Sequence, residues 1–66
     1  MQSGIYKGYS IWGHAIAQQN RYAASGTITH GNRVVEASGV LAHLLSEQEA
    51  EAVGLQWAKA WVDGHH

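Results

Sequence analysis

Four groups of side chains in this 66-residue sequence are of types that do chemistry. His14, Thr27 and Glu36 fall at positions that strand pairing can bring into one cross-strand row, where an imidazole and a carboxylate would flank a hydroxyl as in an acid–base pair. Trp12, His14 and Ile16 alternate along one segment, and an indole beside an imidazole on an open sheet can stack on unpaired bases. Lys7, Arg21 and Arg33 are cations in the first half of the chain and suit phosphate contacts. Asp63, His65 and His66 cluster at the chain end and could ligate a metal.

The elements that must position these groups follow from residue patterning. In residues 8–41, β-branched and aromatic residues alternate with small or polar ones, and two turn-like clusters interrupt them. The pattern predicts a strand over residues 8–18, a polar turn at Gln19-Asn20-Arg21, a second strand over 22–30, a hairpin turn at Gly31-Asn32 and a third strand over 33–41. Turns this short make the strands antiparallel neighbours. With Gly31-Asn32 as the central pair, Ile28 faces Val35, Gly26 faces Ala37, Ala24 faces Gly39 and Tyr22 faces Leu41, all on one side. The other side carries Ala23, Ser25, Thr27 and Thr29 opposite Val40, Ser38, Glu36 and Val34, a polar centre. In the first strand, Tyr9, Ile11, Gly13, Ala15 and Ala17 are assigned inward and Ser10, Trp12, His14, Ile16 and Gln18 outward.

Ser46-Glu47-Gln48-Glu49 reads as a capping box opening a helix over residues 47–63, with Glu47, Glu49 and Glu51 near its positive dipole end. Ala50, Val53, Gly54, Trp57 and Trp61 recur at helical spacing as the buried stripe. Leu55, Ala58 and Val62 form a second strip, Leu45 is placed to staple onto Ala50, and Gly64 is a plausible stop. The inward sheet face is a bed of Ala15, Ala17, Ala24, Gly26, Ala37 and Gly39, which two indoles on the helix can fill. The expected fold class is α+β: a three-stranded antiparallel sheet with one C-terminal helix packed on one face, in the order β-β-β-α, as one domain over residues 1–66.

Tyr6-Lys7-Gly8-Tyr9-Ser10-Ile11, the strand Tyr22-Ala23-Ala24-Ser25-Gly26-Thr27-Ile28, and Glu49-Ala50 with Leu55-Gln56-Trp57-Ala58-Lys59-Ala60-Trp61-Val62-Asp63 resemble small proteobacterial proteins of β-β-β-α fold with no assigned activity. The resemblance covers nearly the whole chain. It implies an architecture similar to a double-stranded-RNA-binding domain lacking its first helix, and more loosely to the start of HicB-type antitoxins. Double-stranded-RNA-binding domains place a lysine cluster at the start of the last helix. Here that place reads Ser46-Glu47-Gln48-Glu49-Ala50-Glu51, whose three glutamates repel phosphate. The strand and DNA-binding tail that follow in HicB proteins have no counterpart in these residues.

Composition narrows the function classes. With no cysteine, disulfides and thiolate metal sites are excluded. Gly8, Gly13, Gly26, Gly31 and Gly39 fall in strands or a hairpin and not in a strand-to-helix turn, so no phosphate loop is expected. His30 and His43 lack partners at metal-site spacing, and paired terminal histidines also arise from purification tags, so no metal and no cofactor are expected. One sheet and one helix offer little concavity, which makes the His14–Thr27–Glu36 row a surface ladder and the chain not an enzyme.

The net charge of −1 is itself split: residues 1–46 carry +2 and residues 47–66 carry −3. Any polyanion would therefore meet the sheet side, although Arg21 and Arg33 stand at turns on opposite ends of the sheet. No basic leader precedes an apolar run and no stretch of about 18 apolar residues occurs, so a cytoplasmic protein with no membrane segment is expected. A chain this short buries only about 60% of its unfolded surface, which favours a partner subunit. The expectation is a non-enzymatic interaction module, a homo-oligomer or protein-partner binder using the open sheet face around Trp12, His14 and Ile16. The alternative is weak nucleic-acid binding through Trp12 with Arg21, Arg33 and Lys7.

Overall fold

The computed structural model describes residues 1–65. It is α+β: β1 (Gln2–Tyr6), β2 (Tyr9–Gln18), β3 (Arg21–His30), β4 (Arg33–Ala37) and β5 (Ala42–Leu44) form one antiparallel sheet, and α1 (Glu47–His65) crosses one of its faces. The strand order is β1-β2-β3-β4, with β5 on the same edge of β3 as β4.

Two features correct the expected three strands. The first is β1, which pairs with β2 through Gly4↔Ile11 and Tyr6↔Tyr9. Its residues, Gln-Ser-Gly-Ile-Tyr, carry too few β-branched or aromatic side chains for an alternation to show. The Lys7-Gly8 turn that joins it to β2 has φ of 51° and 87°, the left-handed pair that a type I′ hairpin needs. Glycine supplies that conformation freely and lysine does not, so only half of the turn has its usual residue.

The second correction is the last expected strand, which splits. His30↔Arg33 and Thr29↔Val34 hold the expected register, but a bulge between Ile28 and Thr29 advances it, so Ile28 pairs with Glu36 and Thr27 with Ala37. The predicted partners Ile28–Val35, Gly26–Ala37, Ala24–Gly39 and Tyr22–Leu41 are therefore not formed. One extra residue reverses the alternation of everything beyond it. Past Ala37 the chain leaves the regular ladder, and Ser38 replaces it by a two-way clamp. Its N–H donates to the Gly26 carbonyl at 2.8 Å, and its Oγ accepts from the Gly26 N–H at 2.7 Å. The Leu41 N–H donates to the Ala24 carbonyl at 2.8 Å, after which β5 pairs Ala42↔Ala24 and Leu44↔Tyr22.

The helix begins as the capping box requires: the Glu49 N–H donates to Ser46 Oγ at 3.1 Å. The Ser46 hydroxyl in turn donates to Glu49 Oε1 at 3.0 Å, so the carboxylate closes on the hydroxyl. Leu45 is 71% exposed and does not staple onto the helix, and Gly64 lies inside α1 and does not end it. The buried helical row is Ala50, Gly54, Ala58 and Val62, at strict four-residue spacing, joined by Glu51. The expected stripe is thus turned about the helix axis. The strip containing Ala58 and Val62, expected to be secondary, is central, while Trp57, Trp61 and Leu55 pack against the core as partly buried flanks.

Small residues lie on the seam because backbones meet there. A Cβ on Gly54 would stand 2.9 Å from the Cα of Gly13, and one on Gly26 would stand 2.6 Å from Cε3 of Trp57. Both distances are closer than van der Waals contact. The assigned inward sets hold at the seam: Ile11 and Gly13 of β2 and Ala24, Gly26 and Ile28 of β3 are buried.

Gly54→Ala should therefore force α1 off the sheet and destabilise by about 2–3 kcal/mol or more, close to losing the fold. Gly64→Ala, which meets nothing within 4 Å, should be neutral or slightly stabilising. Thermal melts followed by circular dichroism compare the two, and equal melting temperatures would contradict the seam. Ser38→Ala leaves the buried Gly26 N–H without its acceptor and should lower stability by about 1–2 kcal/mol in urea titrations.

Candidate functional site

With α1 on one face, the pleat of the five strands sorts the remaining side chains onto the other. That open face carries Ser3 and Ile5 from β1, then Ser10, Trp12, His14, Ile16 and Gln18 from β2. From β3 come Arg21, Ser25, Thr27 and Thr29, with Ala23 in the same alternation but fully buried, and Val34 and Ala37 of β4 and His43 of β5 at the edge. Three rows cross it: Ile5–Ser10–Thr29–Val34, Ser3–Trp12–Thr27–Ala37, and Ile16–Ala23–His43. Ile5 is 75% exposed, Val34 66% and Ile16 47%. Arg21 is the only Asp, Glu, Lys or Arg among these residues, and it stands at the end beside the β2–β3 turn.

Of the six residues singled out from the sequence, Trp12, His14, Ile16 and Arg21 share this face. Trp12 is half-buried, and its Nε1 is a buried polar atom with no hydrogen-bond partner. His14 Nε2 and Thr27 Oγ1 share a hydrogen bond of 2.9 Å, made diagonally, since His14 pairs with Ser25 and Thr27 with Trp12. Glu36 does not complete the expected row. The bulge pairs it with Ile28 on the helix-facing side, and its Oε1 accepts from the Ala37 N–H at 3.1 Å. Ser38 is likewise taken out of the face by its clamp on Gly26.

The other two cations are elsewhere. Lys7 turns toward the helix, where its Nζ donates to Asp63 Oδ1 at 2.6 Å, and the Tyr6 hydroxyl donates to the same carboxylate at 3.0 Å. Arg33 pairs with His30, whose ring lies 5.0 Å from that of Tyr9, a helix-side residue. The β1–β2 and β3–β4 turns lie at the end of the sheet opposite Arg21, so Lys7, Arg33 and Arg21 do not form one basic patch.

No group of three His, Cys, Asp or Glu residues suited to a metal occurs among the described residues. His65 stacks on Trp61 at 4.0 Å between ring centroids and its Nδ1 lies 2.8 Å from the Trp61 carbonyl oxygen. The expected metal group Asp63-His65-His66 includes His66, which lies outside the described residues. No helix of the described residues is long and apolar enough to cross a membrane. Sequence patterning missed Ser3 and Ile5, because β1 was not visible, and missed His43, because only the β5 register carries it to this face.

The hydrogen bond to Asp63 raises the pKa of Lys7 above its ordinary 10.5, against a weaker opposing effect of desolvation. A cation whose pKa is raised by folding stabilises the fold below its unfolded pKa and stops doing so as pH rises through the folded value. Lys7→Met should therefore lower the urea midpoint slightly at neutral pH, with the difference from wild type disappearing well above pH 10.5. A difference that persists there would assign it to packing by the lysine stem.

No protein-family model, no curated protein and no solved structure matches this chain.

Proposed function

We propose that this chain is a non-enzymatic interaction module that associates with a second copy of itself through the open sheet face. The observation that carries the reading is the sorting of charge. The chain has nine formally charged side chains of the Lys, Arg, Asp and Glu types, and the open face holds only Arg21, at its end. Trp12, Ile5, Ile16 and Val34 stand here among serines, threonines and histidines, and depletion of charge is one compositional mark of an interface core.

Two further observations agree. Only Ile28 and Val62 among the larger side chains are fully buried, so the internal core is thin for a chain that must offset its conformational entropy. The molecule measures 35 × 21 × 17 Å, so a contact must take in most of one broad side to reach the ~800 Å² that each partner contributes to a standard interface. A face with so little charge meets its own copy without like-charge repulsion, and a two-fold pairing of identical patches closes without growing into a filament.

The placement of the cations gives no support to nucleic-acid binding. Lys7 is committed to Asp63, Arg33 is in register with the helix side, and Trp12 lacks the flanking basic track that a single strand needs.

Sedimentation equilibrium of the folded chain should show a concentration-dependent dimer. Ile16→Lys or Trp12→Glu, each placing a charge near its own symmetry mate, should raise the dissociation constant by at least about tenfold while the circular dichroism spectrum is unchanged. A strict monomer at high concentration would overturn the reading. Salt-sensitive quenching of tryptophan by single-stranded RNA at low ionic strength would replace it with the nucleic-acid one.

A further inference from the structure

The end of the open face next to the β2–β3 turn is concave. A cavity of about 530 Å³, open to solvent, is lined there by Gln18, Gln19, Asn20, Arg21 and His43. Its volume falls within the range of about 300–1,000 Å³ typical of small-molecule sites. The register explains how it forms. Gln18 and Arg21 are the last pair of the β2–β3 ladder, and β5 sets His43 beside Ala23, the next outward residue of β3 after Arg21. Gln19 closes the hairpin at φ 50°, an uncommon conformation for a residue other than glycine.

Arg21 offers a planar fork of N–H donors, Gln18, Gln19 and Asn20 offer amides that both donate and accept, and His43 offers an imidazole that donates from at least one nitrogen. No carboxylate lines the cavity. Among the described residues Arg21 makes no ion pair and no side-chain hydrogen bond, in contrast to Lys7, which is committed to Asp63. An unpaired guanidinium in a concave ring of neutral donors matches a planar or tetrahedral oxyanion, which it can bind through two parallel hydrogen bonds.

We propose that this cleft is a binding site for a small oxyanion, a carboxylate or phosphate group on a metabolite-sized molecule. Arg21 is the anchoring charge and His43 closes the opposite wall. The site lies at the rim of the open face and is separate from its apolar centre, so it does not depend on self-association.

The test is a titration of the folded full chain, followed by two-dimensional NMR at constant ionic strength, with citrate in one arm and inorganic phosphate in the other. Saturable shifts confined to the backbone and side-chain signals of residues 18–21 and His43 are expected. Saturation by citrate alone identifies a carboxylate site, saturation by phosphate alone a phosphate site, and both an oxyanion site without discrimination. Arg21→Gln should weaken binding at least tenfold, His43→Gln several-fold, and Arg33→Gln, at the other end of the sheet, not at all. Shifts that fail to saturate in both arms, or that survive Arg21→Gln, would overturn the proposal. Shifts lost equally in Arg33→Gln would also overturn it, by marking a general response to charge. Trp12→Glu, two rows away from the cleft, separates this site from the sheet-face reading, since it should weaken the dimer and leave citrate or phosphate binding in place.

Discussion

The approach of the helix backbone to the sheet backbone at Gly13, Gly26 and Gly54 is the constraint on which the rest of the structure depends. A glycine in mid-helix weakens α1 by about 1 kcal/mol relative to alanine. Here there is no room for the alanine methyl, because it would run into β2 and β3. The seat this creates is narrow, so the row laid into it is Ala50, Gly54, Ala58 and Val62, and the bulky Trp57, Trp61 and Leu55 are pushed to its sides. Dispersion contact along such a seam is dense but the buried apolar volume is small. The same geometry that seats one helix closely leaves five strands with a second face that no helix covers, where Ile5, Ile16 and Val34 stay exposed.

Electrostatics then ties the added strand to that helix. The N-terminal ammonium of Met1 pairs with the buried Glu51 carboxylate near one end of β1, and Lys7 pairs with Asp63 beyond the other. Two acidic groups of α1 are thereby matched to positive groups flanking β1. The division of the sequence into a basic half and an acidic half is thus partly cancelled across the helix–sheet layer. Cations that a linear reading places on the sheet side are drawn to the helix side, and Arg21 stays apart because its hairpin points to the opposite end.

How legible this was depended on whether a signal was local. The capping box, the β2–β3 hairpin and the inward sets of β2 and β3 rest on short-range patterning, and Ser46, Ile11 and Ile28 sit as that patterning requires. The bulge opposite Ile28 and Thr29 leaves no such mark. Ile28 faces Glu36 only because one residue is inserted into the edge, and from that point every face assignment reverses. The rotation of the helix was hidden for a different reason. Hydrophobicity ranks tryptophan above alanine as a buried residue, whereas the Gly13–Gly54 contact selects residues by size. On the candidate face, Trp12, His14 and Ile16 could be read because β2 is regular, while Ile5 and His43 could not, since each depends on a pairing made elsewhere in the chain.

The bulge and the short β5 also determine what kind of surface remains. An unbroken third strand would have placed Glu36 in line with Thr27 and Trp12, setting a carboxylate in the middle of the open face. Shifting the register by one residue sends Glu36 to the other side and brings Ala37 opposite Thr27. The centre of the face thereby loses its charge. Where the ladder resumes at β5, His43 arrives beside Ala23, and polar groups gather only at the rim. A nearly uncharged centre offers area from which water can be removed by a matching surface. The concave end differs from it in holding Arg21, which among the described residues makes no ion pair. The edge irregularity that looks like a defect in the sheet is thus what keeps Glu36 off the centre of the face and sets His43 at its rim.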